Sequence, residues 1–240
     1  MKRFIKTILI CGLVYSLSIS LAQAESPSSK ITTKKSGYYV NKNFDLIPND
    51  KSLNKKVVLI TIDDGPGKTD KELINILNKH NAKAIFFING IHDKDFKDNI
   101  KMLYDAGFSI GNHTWSHLNL KKSKDQVVKE EISKNTDLIY KLTGQKPRFF
   151  RPPYGATNKY VKDLVKNEGM IFMNWSGSAL DWEKSAKDEK VFIRNVMKNL
   201  HDGEIILLHG HPWTTKYLDN LLTSIEKEGF SFINPVNIVE

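Results

Sequence analysis

The sequence predicts an α/β protein, a distorted or incomplete (β/α) barrel of about seven parallel strands with outer helices. Three observations predict it. From Val57 onward, short apolar, β-branched stretches alternate with stretches of helical period, the pattern of a parallel sheet wrapped by helices. The chain has 240 residues, and the part beyond Val57 falls short of the ~250 residues of a typical eight-fold barrel. Each conspicuous polar cluster comes just after an expected strand, the end at which parallel α/β folds build their sites.

The first strand is Val57-Val58-Leu59-Ile60, which runs into Thr61-Ile62-Asp63-Asp64-Gly65-Pro66. Successive strand side chains point to opposite faces, so both aspartates reach one cavity only if the regular strand has stopped by Asp63. Gly65-Pro66 provides the turn. Further strands are expected at residues 84–88, 108–110, 148–151, 170–173, 205–208 and 230–233. Helices fit residues 70–81 (capped by Thr69 or Asp70), 97–105, the stretch after Ser123 to about Leu142, 158–167, 187–200 and 215–228. Gly107 and Gly144 stop the second and third helices. Ser123-Lys124-Asp125-Gln126 has the form of a capping box.

The chain starts differently. Lys2, Arg3 and Lys6 precede an apolar run over residues 8–22, and Ala22-Gln23-Ala24 has the small-x-small form of a cleavage site, so residues 1–24 read as a secretory signal peptide. The run is shorter than a membrane-spanning helix needs, and no stable membrane insertion is expected after cleavage. Cleavage removes Cys11, the single cysteine. The mature chain would be exported without a disulfide, and a metal would have to use His, Asp or Glu. Residues 25–56, rich in Ser, Thr, Lys and Asn, read as a spacer or arm, with Tyr38, Tyr39 and Phe44 as anchors onto the barrel. Residues 57–240 form the main domain.

The formal net charge is +9, and loss of the three leader cations leaves +6. A basic exported protein suits an anionic surface such as a bacterial wall. Nucleic acid fits less well, because the lysines are scattered and not clustered with aromatics.

Five clusters carry chemistry. Asp63-Asp64 places two carboxylates side by side. A metal on one would offset their repulsion and leave the other ionised as a base; alone, Asp-Asp-Gly-Pro also fits a surface turn. His113-Thr114-Trp115-Ser116-His117 sets two imidazoles four residues apart, within reach of one ion. Asp64, His113 and His117 would give three ligands and an open position, the pattern of a catalytic zinc site. In Arg151-Pro152-Pro153-Tyr154-Gly155, two prolines fix the backbone, and the arginine could grip a carboxylate with two prongs. Asp181-Trp182 and Leu207-Leu208-His209 complete the set. His209 ends an apolar strand; beside a carboxylate its pKa would rise and suit a general acid.

In order and spacing, these five motifs resemble those of the NodB-type polysaccharide deacetylases, carbohydrate esterase family 4, over about Val57 to the C-terminus. The resemblance implies that Asp63 is the base and that Asp64, His113 and His117 bind the metal. Arg151 orients the base, the Tyr154 N–H supports the oxyanion, Asp181 tunes the acid His209, and Trp182 and Leu207 line the acetyl pocket. It implies a secreted, wall-associated enzyme that hydrolyses the acetamide of N-acetylglucosamine residues in a polysaccharide, peptidoglycan first. The cofactor is one divalent metal ion: zinc, with cobalt or nickel as alternatives. The chain departs from the pattern at Ser178, where the fourth motif usually begins with aspartate, and at Gly210, where aspartate often comes after the histidine. His211 reads as a loop residue, and His80, His92 and His201 as surface residues. An O-acetyl esterase of xylan type and an inactive metal-bearing carbohydrate-binding protein are the alternatives. A glycosidase using Asp63 and Asp64 is disfavoured, since its carboxyls should flank a sugar at roughly 5 Å or more.

Overall fold

A computed structural model describes residues 35–96 and 98–239. The expected signal peptide, residues 1–24, lies outside the described residues. The elements in chain order are β1 (Tyr38–Val40), β2 (Leu46–Pro48), β3 (Val57–Gly65), α1 (Asp70–Lys79), β4 (Ala84–Ile88), α2 (Asn99–Asp105), β5 (Ser109–Asn112) and α3 (Asp125–Thr143). The chain continues with β6 (Phe149–Phe150), α4 (Lys159–Asn167), β7 (Ile171–Phe172), β8 (Gly177–Ser178), α5 (Glu189–Met197), β9 (Glu204–His209), α6 (Pro212–Lys227) and β10 (Ser231–Phe232).

The main sheet runs β7-β6-β5-β4-β3-β9-β8, with β10 added along the first two residues of β3. Every pair in it is parallel. β7 and β8 end the path without pairing, so the sheet is a curled, incomplete barrel with its helices around it. The seven expected strands are all present, and the two-residue β8 is added to them.

The apolar run of β3 explains its central place. Val58, Ile60 and Ile62 pack outward with Leu73, Leu77, Leu218 and Leu221 of the helices. Val57 and Leu59 point the other way, into an inner cluster with Phe87, Phe149, Met173 and Ile205. A strand covered on both faces has no polar alternation to show. The inner cluster is closed by the antiparallel β1–β2 hairpin, whose Tyr38 and Leu46 are buried in it. The Tyr38 hydroxyl donates to the Asn54 carbonyl at 2.7 Å, and the Leu46 N–H donates to the Gly203 carbonyl at 2.7 Å. Of the other expected anchors, Phe44 packs on the Phe172 ring while Tyr39 stays exposed.

Local expectations differ from the structure at two places. Ser123 does not form a capping box. Its hydroxyl donates back to the Asn119 carbonyl, the Gln126 amide turns to Glu130, and α3 starts one residue later from Lys124. His80 is not a surface residue: it lies between Asp219 and Glu226 at 2.9 and 3.0 Å and ties α1 to α6. Gly107 and Gly144 do close α2 and α3 with positive φ.

Gly203 holds the hairpin against the sheet. Its φ is +81°, and an added Cβ would collide with the Leu46 carbonyl. Gly203→Ala should therefore lower unfolding stability by roughly 2 kcal/mol or more. Urea denaturation with an unchanged midpoint would contradict this account of the seam.

Candidate active site

Parallel strands send their C-terminal ends to one mouth, and register decides which residues meet there. Asp63 pairs with His209 across β3 and β9, and Asn112, the last residue of β5, pairs with Phe150, one residue before Arg151. Loops after β5, β6 and β8 add His113, His117, Arg151, Tyr154 and Asp181. The resulting cavity of about 390 Å³ is lined by Asp63, Asp64, His113, His117, Tyr154, Trp175, Trp182, Leu207 and His209.

The two aspartates reach it by a route the sequence did not suggest. β3 does not stop at Asp63; it bulges. Pairing with β4 shifts between Ile62 and Gly65, and Asp64 takes a left-handed φ of 63°. The bulge re-aims one side chain, so neighbouring carboxylates share a mouth and keep separate environments. Asp63 is 3% exposed, whereas the Asp64 side chain is 43% exposed.

Asp64 Oδ1 lies 3.6 Å from His113 Nε2 and 3.2 Å from His117 Nε2, and one donor atom from each of the three falls within 4.8 Å of the others. His113 Nδ1 sits 2.7 Å from the Arg151 carbonyl. A carbonyl cannot donate, so the ring proton belongs on Nδ1 and Nε2 presents a lone pair. Burial drives the His113 pKa down to about 3 against the pull of Asp64, so the ring is neutral. A lone pair thus faces a carboxylate oxygen with no proton between them, an arrangement that a cation satisfies. The donor set, two imidazoles and one carboxylate, fits a divalent ion such as zinc.

On the inner side, Asp63 Oδ1 accepts from Arg151 Nη1 at 2.7 Å. The expected two-pronged grip is absent. Nη1 also donates to Thr61 Oγ1, and Nη2 is spent on the Asn174 carbonyl at 2.8 Å, so a single prong holds one oxygen. Asp63 Oδ2 is left 3.7 Å from His113 Nε2, on the side of the donor cluster. Burial raises the Asp63 pKa, and the charges of Arg151 and His209 only partly oppose it.

Opposite, His209 Nδ1 lies 2.7 Å from Asp181 Oδ1, and Asp181 Oδ2 accepts from the His209 N–H and the Thr214 hydroxyl. Burial lowers the His209 pKa, but the hydrogen bond and charge of Asp181, with Asp63 and Asp64 behind, outweigh it and the net shift is upward. The free Nε2 points to the cavity, 3.9 Å from Asp64 Oδ2. Trp182 meets the His209 ring edge to face at 5.6 Å, and Leu207 forms the floor. Tyr154 has a positive φ of 59°, and its hydroxyl lies 3.2 Å from His117 Nδ1. The Gly155 and Ala156 N–H groups close its turn onto Pro152 and Pro153, which leaves the Tyr154 N–H outside that ladder.

Every expected site residue is therefore in or against this one cavity. At the departures, Ser178 caps the Leu180 N–H at 2.9 Å, and His211 stacks on Trp213 with ring centroids 4.4 Å apart. Sequence reasoning passed over Trp175 on the cavity wall, Thr61 and Thr214 behind the charged pairs, and Asn112, Glu131 and Asn135 behind the His113–His117 loop. The one signal for the two α3 residues was polar side chains at positions 131 and 135, one turn apart on the face that also carries Val128, Ile132 and Ile139.

Comparison with known proteins agrees with this geometry. The polysaccharide deacetylase family profile matches residues 50–173. A peptidoglycan-N-acetylglucosamine deacetylase of Bacillus cereus is 31% identical over 186 residues, covering 75% of this chain and 67% of that protein. The peptidoglycan-N-acetylglucosamine deacetylase PgdA of Listeria monocytogenes is 32% identical over 76% of this chain, which spans 39% of its length. Among solved structures, BA3943 of Bacillus anthracis, described as a pseudoenzyme of carbohydrate esterase family 4, superposes with a TM-score of 0.72 at 31% identity, covering 76% of this chain and 65% of that one. The chain belongs to the polysaccharide deacetylase family, the NodB-type hydrolases of carbohydrate esterase family 4 that act on amide carbon–nitrogen bonds.

Proposed function

We propose that the chain is a secreted, zinc-dependent N-deacetylase that removes acetyl groups from N-acetylglucosamine residues of peptidoglycan at the cell wall. The observation that carries this reading is the placement of a buried Arg151-held carboxylate and an Asp181-held imidazole on two sides of one Asp64–His113–His117 donor cluster. That is a base and an acid flanking a cation site, the set an amide hydrolase needs. The peptidoglycan deacetylases among its relatives support the substrate class. Among the described residues no helix is long and apolar enough to cross a membrane. Residues 1–24 act as the leader, 25–56 precede the catalytic domain, and 57–240 form it.

Asp64, His113 and His117 would hold a divalent ion, which when bound would supply Lewis acidity to the site. Asp63 takes the proton of the attacking water on Oδ2 while Arg151 holds Oδ1. The water oxygen bonds to the carbonyl carbon, and the Tyr154 N–H donates to the oxyanion, a contact of the kind whose loss costs about 3 kcal/mol. His209 Nε2 protonates the sugar nitrogen as the C–N bond breaks, giving acetate and a free amine. Trp182 and Leu207 enclose the acetyl methyl.

Acetate release by the purified protein from defined N-acetylated and O-acetylated glycans, with and without chelator, tests the reading. Release from O-acetyl substrates alone would make it an esterase, and no release from any would make it an inactive binder. Asp63→Asn should keep its zinc but lose activity by about 10² or more; a fully active variant would remove Asp63 from the base role. His113→Ala should lose zinc and activity together, and full zinc occupancy in that variant would break the ligand assignment. The His209 imidazole, followed by NMR in the metal-free protein, should titrate above the ordinary histidine value of 6.5. In Asp181→Asn it should titrate lower, because burial then prevails. Since His209 acts as the protonated acid, wild-type activity should fall as pH rises through its raised pKa. The same limb should appear at lower pH in Asp181→Asn.

A further inference from the structure

The loop that carries His113 and His117 is not self-supporting. Thr114 and His117 both have left-handed backbones, φ +70° and +60°, and each such residue costs roughly 1–2 kcal/mol unless its surroundings hold it. Within the loop one bond helps, from the His117 N–H to Thr114 Oγ1 at 3.1 Å. The other restraints come from outside. Glu131 of α3, 9% exposed, accepts from the Ser116 N–H on Oε2 and from the Ser116 hydroxyl on Oε1, both at 2.7 Å. Four residues on, Asn135 donates to the Ile88 carbonyl at 2.7 Å and to Asn112 Oδ1 at 3.0 Å. That Asn112 oxygen in turn accepts from the Thr114 N–H at 2.8 Å. One face of one helix thus fastens both ends of the loop.

Ser116 immediately precedes His117, so a forked grip on both its donors fixes the plane from which the His117 ring projects. Hydrogen bonds to a charged acceptor are short and about twice as strong as neutral ones. Among the described residues Glu131 makes no ion pair, so Ser116 is what its carboxylate serves. From this geometry we infer that Glu131 is a positioning residue that sets the metal affinity of the site by clamping Ser116, and with it the His117 imidazole, in ligating orientation. The inference rests on the Asp64–His113–His117 reading and deepens it.

Partners that orient a metal ligand typically contribute 10–100-fold in affinity. The test is the zinc dissociation constant, measured by competition with a chromophoric chelator, together with thermal melts of the metal-free proteins. Glu131→Met keeps the volume and loses the clamp; it should bind zinc about 10–100-fold more weakly. Glu131→Gln can accept from the Ser116 N–H and donate to its Oγ, so it should stay within a few-fold of wild type. Ser116→Ala, which removes one of the two bonds, should fall between them, and it decides the matter if Glu131→Met does not fold. Tyr217→Phe, which loses a bond to the Lys187 carbonyl far from the loop, controls for general destabilisation and should bind zinc as wild type does. Wild-type zinc affinity in folded Glu131→Met or in Ser116→Ala would overturn the inference and leave the ligand assignment standing. A wild-type protein that binds no zinc would overturn both.

Discussion

The site depends on Arg151, a full positive charge with no exposure at all, placed where β6 ends. Removing a guanidinium and a carboxylate from water costs several kcal/mol each, and only good geometry and further hydrogen bonds repay it. Here the Arg151 side chain meets Asp63, Thr61 and the Asn174 carbonyl, and its face lies over the Phe87 ring at 4.4 Å. Its backbone is committed as well. The N–H donates to the Asn112 carbonyl, and the carbonyl accepts from His113. One residue therefore orients the proposed base, Asp63, with its side chain and sets the tautomer of the proposed metal ligand, His113, with its main chain. The next two residues, Pro152 and Pro153, make that double commitment rigid.

Two acid–imidazole relationships then diverge because their surroundings do. His113 is buried with its ring proton spent on a carbonyl, and it is neutral. His209 is only partly buried, and its ring nitrogen meets a carboxylate that is itself anchored by the Thr214 hydroxyl and the His209 N–H, which raises its pKa. The same side chain thus suits the proposed ligand role at one wall and the proposed acid role at the other. Such divergence between nearby titratable groups marks an acid–base site.

Much of this was legible in the sequence. The apolar runs of β3, β5 and β9 gave those strands, and the polar residues at or just after their ends gave Asp63, His113 and His209. What was not legible depended on tertiary partners. β8 has two residues, Gly177 and Ser178, too few for any period. β1 and β2 have three each, and while Tyr38 was expected as an anchor, the burial of Leu46 in the inner cluster is announced by no local pattern. Arg151 pointed toward a carboxylate, but the diversion of its second prong to the Asn174 carbonyl belongs to the packing of a loop distant in sequence. The capping box at Ser123 failed for a similar reason, since a carbonyl in the preceding turn competed for the hydroxyl.

The bulge at Asp64 and the polar face of α3 are two halves of one constraint. A regular strand would send Asp63 and Asp64 to opposite faces, so bringing the proposed base and the proposed metal ligand to one mouth requires a break in the strand. A broken strand and a loop with two left-handed residues are not stable by themselves, and apolar packing cannot hold them, because it has no direction. Hydrogen bonds do. That accounts for the burial of Glu131, Asn135 and Thr136 on a helix face where leucines would give the core more apolar contact. In this fold the core gives up hydrophobic burial behind the loop so that two imidazoles project at a fixed angle, and the loss falls on the face of α3 packed against the loop.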